Sequence, residues 1–368
     1  MVDKASLAVI LQAARVTLDG WPARYPGRRA MGYFCNYVPE EMIHCAGLSP
    51  VRLRGNTAPL RQVDAHLQSF TCAMCRSTLD QLLTADWGQA VAGAVLAHTC
   101  DTMQAAADLW RMHSGDSLFV DTVMQPANLG SPAARPYLMA ELARFRQKLA
   151  AWAGNALADN RLRASIALYD ETRRLIAGLQ DQRDYLSASS FYAVLDAAQS
   201  MPREEFNPLL ADLVGGLYRT SRRKSGPRLF LTGAILDEPR VLELIDDLGA
   251  QVAGDDLCTG SRHFAGLVGD GEDPIAALAD FYLRRPPCPA KLLPGHDTGQ
   301  HLLEQAQKVQ ADGVVFIVAK FCEPHAFDYA LSFPTLDGAG LPHLLLEMEQ
   351  VPSLEALRTR LQAFCEML

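Results

Sequence analysis

MGYFCNYVPEEMIHCAGLSPVRLRG, residues 31–55, decides the fold. It opens on the apolar run MGYFCNY (31–37), passes through a helix-like segment and returns to a second run, PVRLRG (50–55). Pro39 lacks an N–H that a first helical turn would leave unsatisfied, and Glu40 and Glu41 meet the positive end of the helix dipole, so a helix over 39–46 follows. Strand, helix and strand joined this closely make a βαβ unit, whose parallel sheet has both faces covered.

The same rhythm continues on both sides. AVAGAVLAH (90–98) and SLFVDTVMQP (117–126) read as strands, with helices at 73–84 and 102–113. From 132 to about 223 no strand is convincing, while Leu138, Leu142, Phe145, Leu149 and Trp152 recur at helical spacing. After Gly226 the alternation returns. RLFLTGAIL (228–236), AQVAGDDLC (250–258), GVVFIVAKF (313–321) and PHLLLEME (342–349) read as strands, with helices at 239–248, 274–283, 299–311 and 353–368. The expectation is an α/β fold of two four-stranded parallel sheets, Rossmann- or flavodoxin-like, without a residue-level internal repeat. Its parts are an N-terminal helix (1–30), a first α/β domain (31–131), a helical segment (132–225) and a second α/β domain (226–368). A length of 368 residues, beyond what one core usually supports, agrees with two domains.

Composition excludes several classes. A net charge of −8 argues against nucleic acid, whose phosphates demand clustered Lys and Arg. The run Arg222-Arg223-Lys224 before Ser225-Gly226-Pro227 reads as a solvated linker. The N-terminus, with Asp3 and with Leu7, Ile10, Leu11 and Ala14 at helical spacing, reads as an amphipathic helix and not a signal peptide. No apolar run is long enough to cross a bilayer, so a cytoplasmic, reducing setting is expected. There is no Gly-Lys dipeptide and hence no P-loop, no Gly-x-Gly-x-x-Gly opening a helix after a first strand, no Gly-x-Ser-x-Gly and no His-Glu-x-x-His. The glycines at 266, 269 and 271 lie in a loop.

Nine cysteines in such a setting are metal-binding, catalytic or simply buried. Six lie at or just beyond strand ends or in short loops: Cys35, Cys72, Cys75, Cys100, Cys258 and Cys322. Loops after the carboxyl ends of parallel strands converge on one crevice, where thiols distant in sequence meet, so a buried soft-metal site is expected. Against this, any single free Cys is more often a small core hydrophobe. Cys45 and Cys365, on helices, read as packing. Cys288, flanked by prolines, is compatible with exposure, with ligation or with neither. His44, His98, His263 and His325 read as structural histidines.

The segments at 31–55, FTCAMCRSTLDQ (70–81), HTCDTMQAAADLW (98–110), GDDLCTGSRHF (254–264) and AKFCEP (319–324) together resemble the 2-hydroxyacyl-CoA dehydratase and benzoyl-CoA reductase iron-sulfur subunit family, and the resemblance runs from about Met31 to the end of the chain. Five segments in the right order are specific where one is weak. The family's Cys-x-x-x-Arg-Ser element falls on Cys72, Arg76 and Ser77, its Thr-Cys-Asp element on Cys100 and its Lys-Phe-Cys element on Cys322. The resemblance implies that these three thiolates hold a 4Fe-4S cluster and leave one iron open. It also implies one-electron, ketyl-type chemistry on an acyl-CoA, a homologous second subunit in a hetero- or homodimer, and a separate ATP-hydrolysing iron-sulfur activator, in keeping with the missing P-loop. A branch of the family carries a double-cubane cluster on six cysteines, for which Cys35, Cys75 and Cys258 would be the second set; that branch would reduce other small molecules. A non-catalytic electron-relay subunit and a metal-free bilobed binding protein are the remaining readings. Asn36, Glu40, Glu41 and Arg262, each near a presumed strand end, are the candidate catalytic polar groups; for Glu40 and Glu41 helix N-terminal charge is an equal reading.

Overall fold

Strand β1 (Ala30–Tyr33) pairs in parallel with β2 (Ser49–Arg52) on one side and with β3 (Val91–His98) on the other, and β3 pairs with β4 (Phe119–Met124). A computed structural model describes residues 4–84, 90–218 and 226–368. Within them the second half repeats this plan: β5 (Arg228–Gly233) lies between β6 (Gln251–Leu257) and β7 (Gly313–Ala319), and β8 (His343–Met348) flanks β7. The orders are β2-β1-β3-β4 and β6-β5-β7-β8, all parallel. The expected α/β fold with two four-stranded parallel sheets is therefore what the chain adopts.

In each sheet the chain moves first to one side of the founding strand and then to the other. The connections after β1 and β3, or after β5 and β7, consequently leave on opposite faces, and a crevice opens between them at the carboxyl ends. Every strand except β3, which ends at His98 as read, ends earlier than its apolar run suggests. β1 stops at Tyr33, which puts Phe34, Cys35 and Asn36 in the connection, and β7 stops at Ala319, two residues before Phe321. Gly233 closes β5 at φ +129°, and a Cβ there would lie 2.1 Å from the carbonyl oxygen of Ile317, so only glycine fits this exit.

The helices expected at 39–46, 73–84, 102–113, 239–248, 274–283, 299–311 and 353–368 form as Glu40–Cys45, Ala73–Thr84, Asp101–His113, Arg240–Asp247, Pro274–Arg284, Thr298–Lys308 and Leu354–Met367. Residues 134–217 form four helices, Ala134–Ala153, Asp159–Gln180, Ala188–Ala198 and Arg203–Leu217, as the spacing of Leu138 to Trp152 predicts. The N-terminal helix is Lys4–Ala14; Asp3 and the basic run at 222–224 lie outside the described residues. One long helix was not foreseen. Glu323–Gly338 carries two prolines, at its first turn and at Pro334, and sets Phe327 and Leu331 outward while burying Leu336, so no single apolar face announces it.

An apolar core runs from Ile10 and Trp110 through Ile176 and Phe206 to Leu231 and Leu361, so the central helices join both halves. A second core packs Val95, Leu142, Phe145 and Tyr282 together. Helix Pro274–Arg284 thus crosses from the second half to lie against helix Ala134–Ala153 of the first. That crossing brings the following loop, with Cys288 and Lys291, back beside the ends of β1, β3 and β4: Cys288 N donates to Tyr37 Oη at 3.3 Å, and Lys291 Nζ donates to the carbonyls of His98 at 3.5 Å and of Gln125 at 3.2 Å.

Candidate functional site

The carboxyl ends of the two sheets share one cavity of about 750 Å³. Seven of the nine cysteines line it: Cys35, Cys72, Cys75, Cys100, Cys258, Cys288 and Cys322. Cys45 and Cys365 do not, in keeping with their assignment to packing, and no cysteine is in a disulfide.

Cys72, Cys100 and Cys322 share one local geometry. Cys100 is the N-cap of helix Asp101–His113, Cys322 is the N-cap of Glu323–Gly338, and Cys72 directly precedes Ala73–Thr84. The backbone N–H groups of the turn that follows act to lower each thiol's pKa: those of Met74 and Cys75 at Cys72, of Met103 and Thr102 at Cys100, and of His325 at Cys322. Free N–H groups and the positive dipole end at a helix start favour a thiolate. All three sulfurs feel one another's charge, in each of the three pairings. Burial pushes the Cys100 thiol up and, helped by the nearby Cys72 charge, the Cys322 thiol up to about 12. The Cys72 thiol goes the other way, down to about 7, chiefly through its interaction with Cys75.

Cys75 is 2 % exposed; its Sγ lies 3.5 Å from Met103 Sδ, and it sits with the first three thiols. On the other wall Cys35, Cys258 and Cys288 form a second group, each sulfur within the field of the other two. Burial raises the thiols of Cys258 and Cys288. Arg262 Nη1 approaches Cys258 Sγ at 3.5 Å, and His325 Nε2 lies 3.9 Å from the same sulfur. Among the described residues no three His, Cys, Asp or Glu side chains converge closely enough to hold a single metal ion. A polynuclear cluster, with each thiolate on a different iron, spaces its ligands more widely than one tetrahedral ion does.

Of the candidate catalytic groups, Asn36 alone lines the cavity, where its Oδ1 accepts from Arg52 Nη1 at 2.5 Å. Glu40 is buried behind it against Arg203 at 2.9 Å and His263 at 2.9 Å; burial raises its pKa, but the charges facing it prevail and hold it at about 2. Glu41 is fully buried in an ion pair with Arg173, which also binds Asp170 at 2.8 Å. Arg262 is pinned by Asp256 at 2.7 and 2.6 Å and reaches the site only through Cys258. His263 is likewise structural: burial lowers its pKa to about 3.

Sequence reasoning did not foresee the cations around the second group. Arg52 and Arg285 are 5 % and 6 % exposed and Lys291 is half-buried, and among the described residues no carboxylate lies within ion-pairing distance of any of them. Arg285 donates only to backbone carbonyls, those of Asn36 at 2.9 Å, of His263 at 2.9 Å and of Arg262. Burial lowers the pKa of Arg285 and of Lys291. The only local signal was the run Arg284-Arg285-Pro-Pro-Cys288 itself.

Comparison with known proteins agrees with the resemblance read from the five segments. A family model described as 2-hydroxyglutaryl-CoA dehydratase, D-component, matches residues 35–368. The chain is 26% identical over 356 residues to the (R)-phenyllactyl-CoA dehydratase beta subunit of Clostridium sporogenes, covering 93% of this chain and 92% of that one. It is 27% identical to the lactoyl-CoA dehydratase beta subunit of Anaerotignum propionicum, over 93% of this chain and 92% of that one. It is also 27% identical to a benzoyl-CoA reductase subunit of Thauera aromatica, over 83% of this chain and 81% of that one.

Proposed function

The chain belongs to the 2-hydroxyglutaryl-CoA dehydratase D-component family, and from that premise we propose that it is the iron-sulfur subunit of an acyl-CoA dehydratase or reductase, with Cys72, Cys100 and Cys322 holding one 4Fe-4S cluster in the cavity between the sheets. The observation that carries this reading is the shared geometry of those thiols: three cysteines from three distant segments, each before a helix start, line one cavity.

The fit rests on the donor set. Three soft thiolates are one short of the four that would saturate a cluster, so a cluster held by them would keep one iron without a protein ligand. A cluster bound there supplies single electrons at low potential, toward the roughly −700 mV extreme for such centres. The chain's own part is to hold the three sulfurs as thiolates with N–H donors from three helix starts, to wall the site from water between two sheets, and to leave room for a substrate. The relatives are subunits by name. A homologous second subunit and a separate ATP-hydrolysing activator complete the proposal, because this sequence has no P-loop.

Anaerobic reconstitution followed by iron and acid-labile sulfide analysis tests the ligand set. Cys72→Ser, Cys100→Ser and Cys322→Ser should each lose cluster iron, while Cys45→Ser and Cys365→Ser keep it. Full iron in any of the first three variants would refute the assignment. ATP-dependent reduction of the cluster by this chain alone would refute the separate activator.

A second reading is favoured by the unpaired cations. Arg52, Arg285 and Lys291 surround Cys35, Cys258 and Cys288, and buried positive charge without a counter-charge is costly. A second cluster on these three thiolates would provide that counter-charge, with Cys288 where the sequence alone suggests Cys75. In that case Cys288→Ser halves the iron and Cys75→Ser leaves it unchanged.

A further inference from the structure

The three helix starts at the cavity differ at one position. Three residues after Cys100 stands Met103 and three after Cys322 stands His325, whereas three after Cys72 stands a second thiol, Cys75. Cys72 lies in the loop before helix Ala73–Thr84, and Cys75 lies in that helix's first turn. Side chains three residues apart across a helical turn have Cβ atoms about 5–6 Å apart. A disulfide needs about 4 Å, a difference that a turn of the loop residue closes without moving a second segment. Cys100 and Cys322 begin other helices, so joining either to Cys72 requires one segment to shift against another.

The two thiols act on each other directly and differ in access. The largest influence on the acidity of Cys72 is Cys75, and the largest on that of Cys75 is Cys72. Cys72 is partly exposed and lines the cavity, while Cys75 is 2 % exposed, with its Sγ 3.5 Å from Met103 Sδ. An outer sulfur at a helix start with an inner one a turn behind it is the arrangement in which dithiols exchange with disulfides, the outer attacking and the inner resolving.

We propose that Cys72 and Cys75 are a redox-active dithiol that closes to a disulfide in the cluster-free chain, with a small disulfide as electron acceptor, and that the closed form blocks cluster assembly. The Cys72 thiolate attacks one sulfur of the small disulfide, whose S–S bond breaks and whose first half leaves as a thiolate. Cys75 then loses its proton and attacks the Cys72 sulfur, so that the mixed disulfide breaks and the second half leaves. Two protein thiols are oxidised, one small disulfide is reduced, and the two protons taken from the protein end on the two released thiols. A sulfur tied up in this way is no longer a thiolate for iron. The closure stands apart from the iron-sulfur reading, on which only the block to assembly rests.

Cluster-free chain, reduced and then treated anaerobically with stoichiometric glutathione disulfide, tests the closure by mass mapping. Trypsin releases Gln62–Arg76, which holds Cys72 and Cys75 and no other cysteine. That peptide should lose two hydrogens and carry no glutathione, while Cys100, Cys258, Cys288 and Cys322 stay reduced. Cys75→Ala, which cannot resolve the mixed disulfide, should instead hold glutathione on Cys72. In reconstitution the oxidised chain should take up about tenfold less iron than the reduced chain, and dithiothreitol should restore the uptake. Glutathione retained on Cys72 of the parent chain, a disulfide from Cys72 to any thiol but Cys75, or an unchanged Gln62–Arg76 would overturn the proposal. So would equal iron in the two forms. Iron in neither form would overturn the iron-sulfur reading and with it the block to assembly, while the mapping still decides the disulfide.

Discussion

Cys75 stands one helical turn beyond Cys72, its S–H donating to Met103 Sδ at 3.5 Å, and the two thiols divide their acidity between them: Cys72 falls to about 7 while Cys75 is driven well above its ordinary value, first by its interaction with Cys72 and then by burial. The helix Ala73–Thr84 makes this possible, because its opening turn also points the N–H groups of Met74 and Cys75 at Cys72. A thiol of lowered pKa is deprotonated above that pKa, and the thiolate is the nucleophile. In metal-free protein, carbamidomethylation by iodoacetamide should therefore reach Cys72 before Cys75, Cys100, Cys258, Cys288 and Cys322, whose thiols are all raised, and should accelerate between pH 6 and pH 8. Cys75→Ala removes that interaction and should move the inflection upward. Peptide mapping that finds Cys322 or Cys288 modified before Cys72 would contradict the assignment.

Glu41 is the test of whether an acid near the site is chemical or structural. It has no exposed surface and pairs with Arg173, whose other partner, Asp170, also accepts the N–H groups of Val268 at 3.0 Å and Gly269 at 2.8 Å. Removing one partner of a buried pair leaves an uncompensated charge and costs about 3–5 kcal/mol. Glu41→Gln should lower the unfolding free energy by that order, yet leave iron per folded chain unchanged, since Glu41 does not reach the cavity. Iron loss at undiminished stability would place Glu41 at the site after all.

The exit of β5 makes a third prediction. Gly233 is held at φ +129° with the Ile317 carbonyl 2.1 Å from where a Cβ would stand, so Gly233→Ala must push β5 and β7 apart at their carboxyl ends. Strain and overpacking together should cost on the order of 2–4 kcal/mol. Because Ala234, Ile235 and Leu236 follow directly into the cavity wall, cluster uptake should fall along with stability. A variant as stable as the parent, by thermal or urea unfolding, would show that this exit is not constrained.

The legible parts of this molecule were those written in local periodicity. Every strand could be found, because each is a short apolar run bounded by turn residues, and the helix 73–84 was read to the residue. Strand ends were read too long, since apolar residues such as Phe34 and Phe321 continue past the ladder into the cavity wall, where packing and not pairing keeps them. The grouping of the thiols was only partly visible. Helix starts at Cys72 and Cys100 follow local motifs, whereas the helix after Cys322 was not foreseen, and the meeting of Cys288 with Cys35 and Cys258 depends on helix Pro274–Arg284 crossing to the other half, a tertiary event with no periodic signature. Glu40 and Glu41 show the converse. Their N-terminal helix position was legible, but their ion pairs with Arg203 and Arg173 join residues more than a hundred positions apart.

His325 links the two thiol groups and carries a pH signature. Its backbone N–H serves Cys322, its Nε2 lies 3.9 Å from Cys258 Sγ, and its buried Nδ1 has no partner. Burial, reinforced by the charge of Arg262, lowers its pKa to about 3, so the folded ring is neutral. An unfolded histidine titrates near 6.5. Between these values the unfolded chain binds a proton that the folded chain does not, and stability falls as the pH drops below about 6.5, by up to roughly 1.4 kcal/mol per unit down to the folded pKa. Urea unfolding of the metal-free protein at pH 7.5, 6, 5 and 4 should show this decline, and His325→Asn, which cannot take up the proton, should flatten the part due to this residue. Equal slopes in the parent and the variant would mean that His325 is not held neutral by its surroundings.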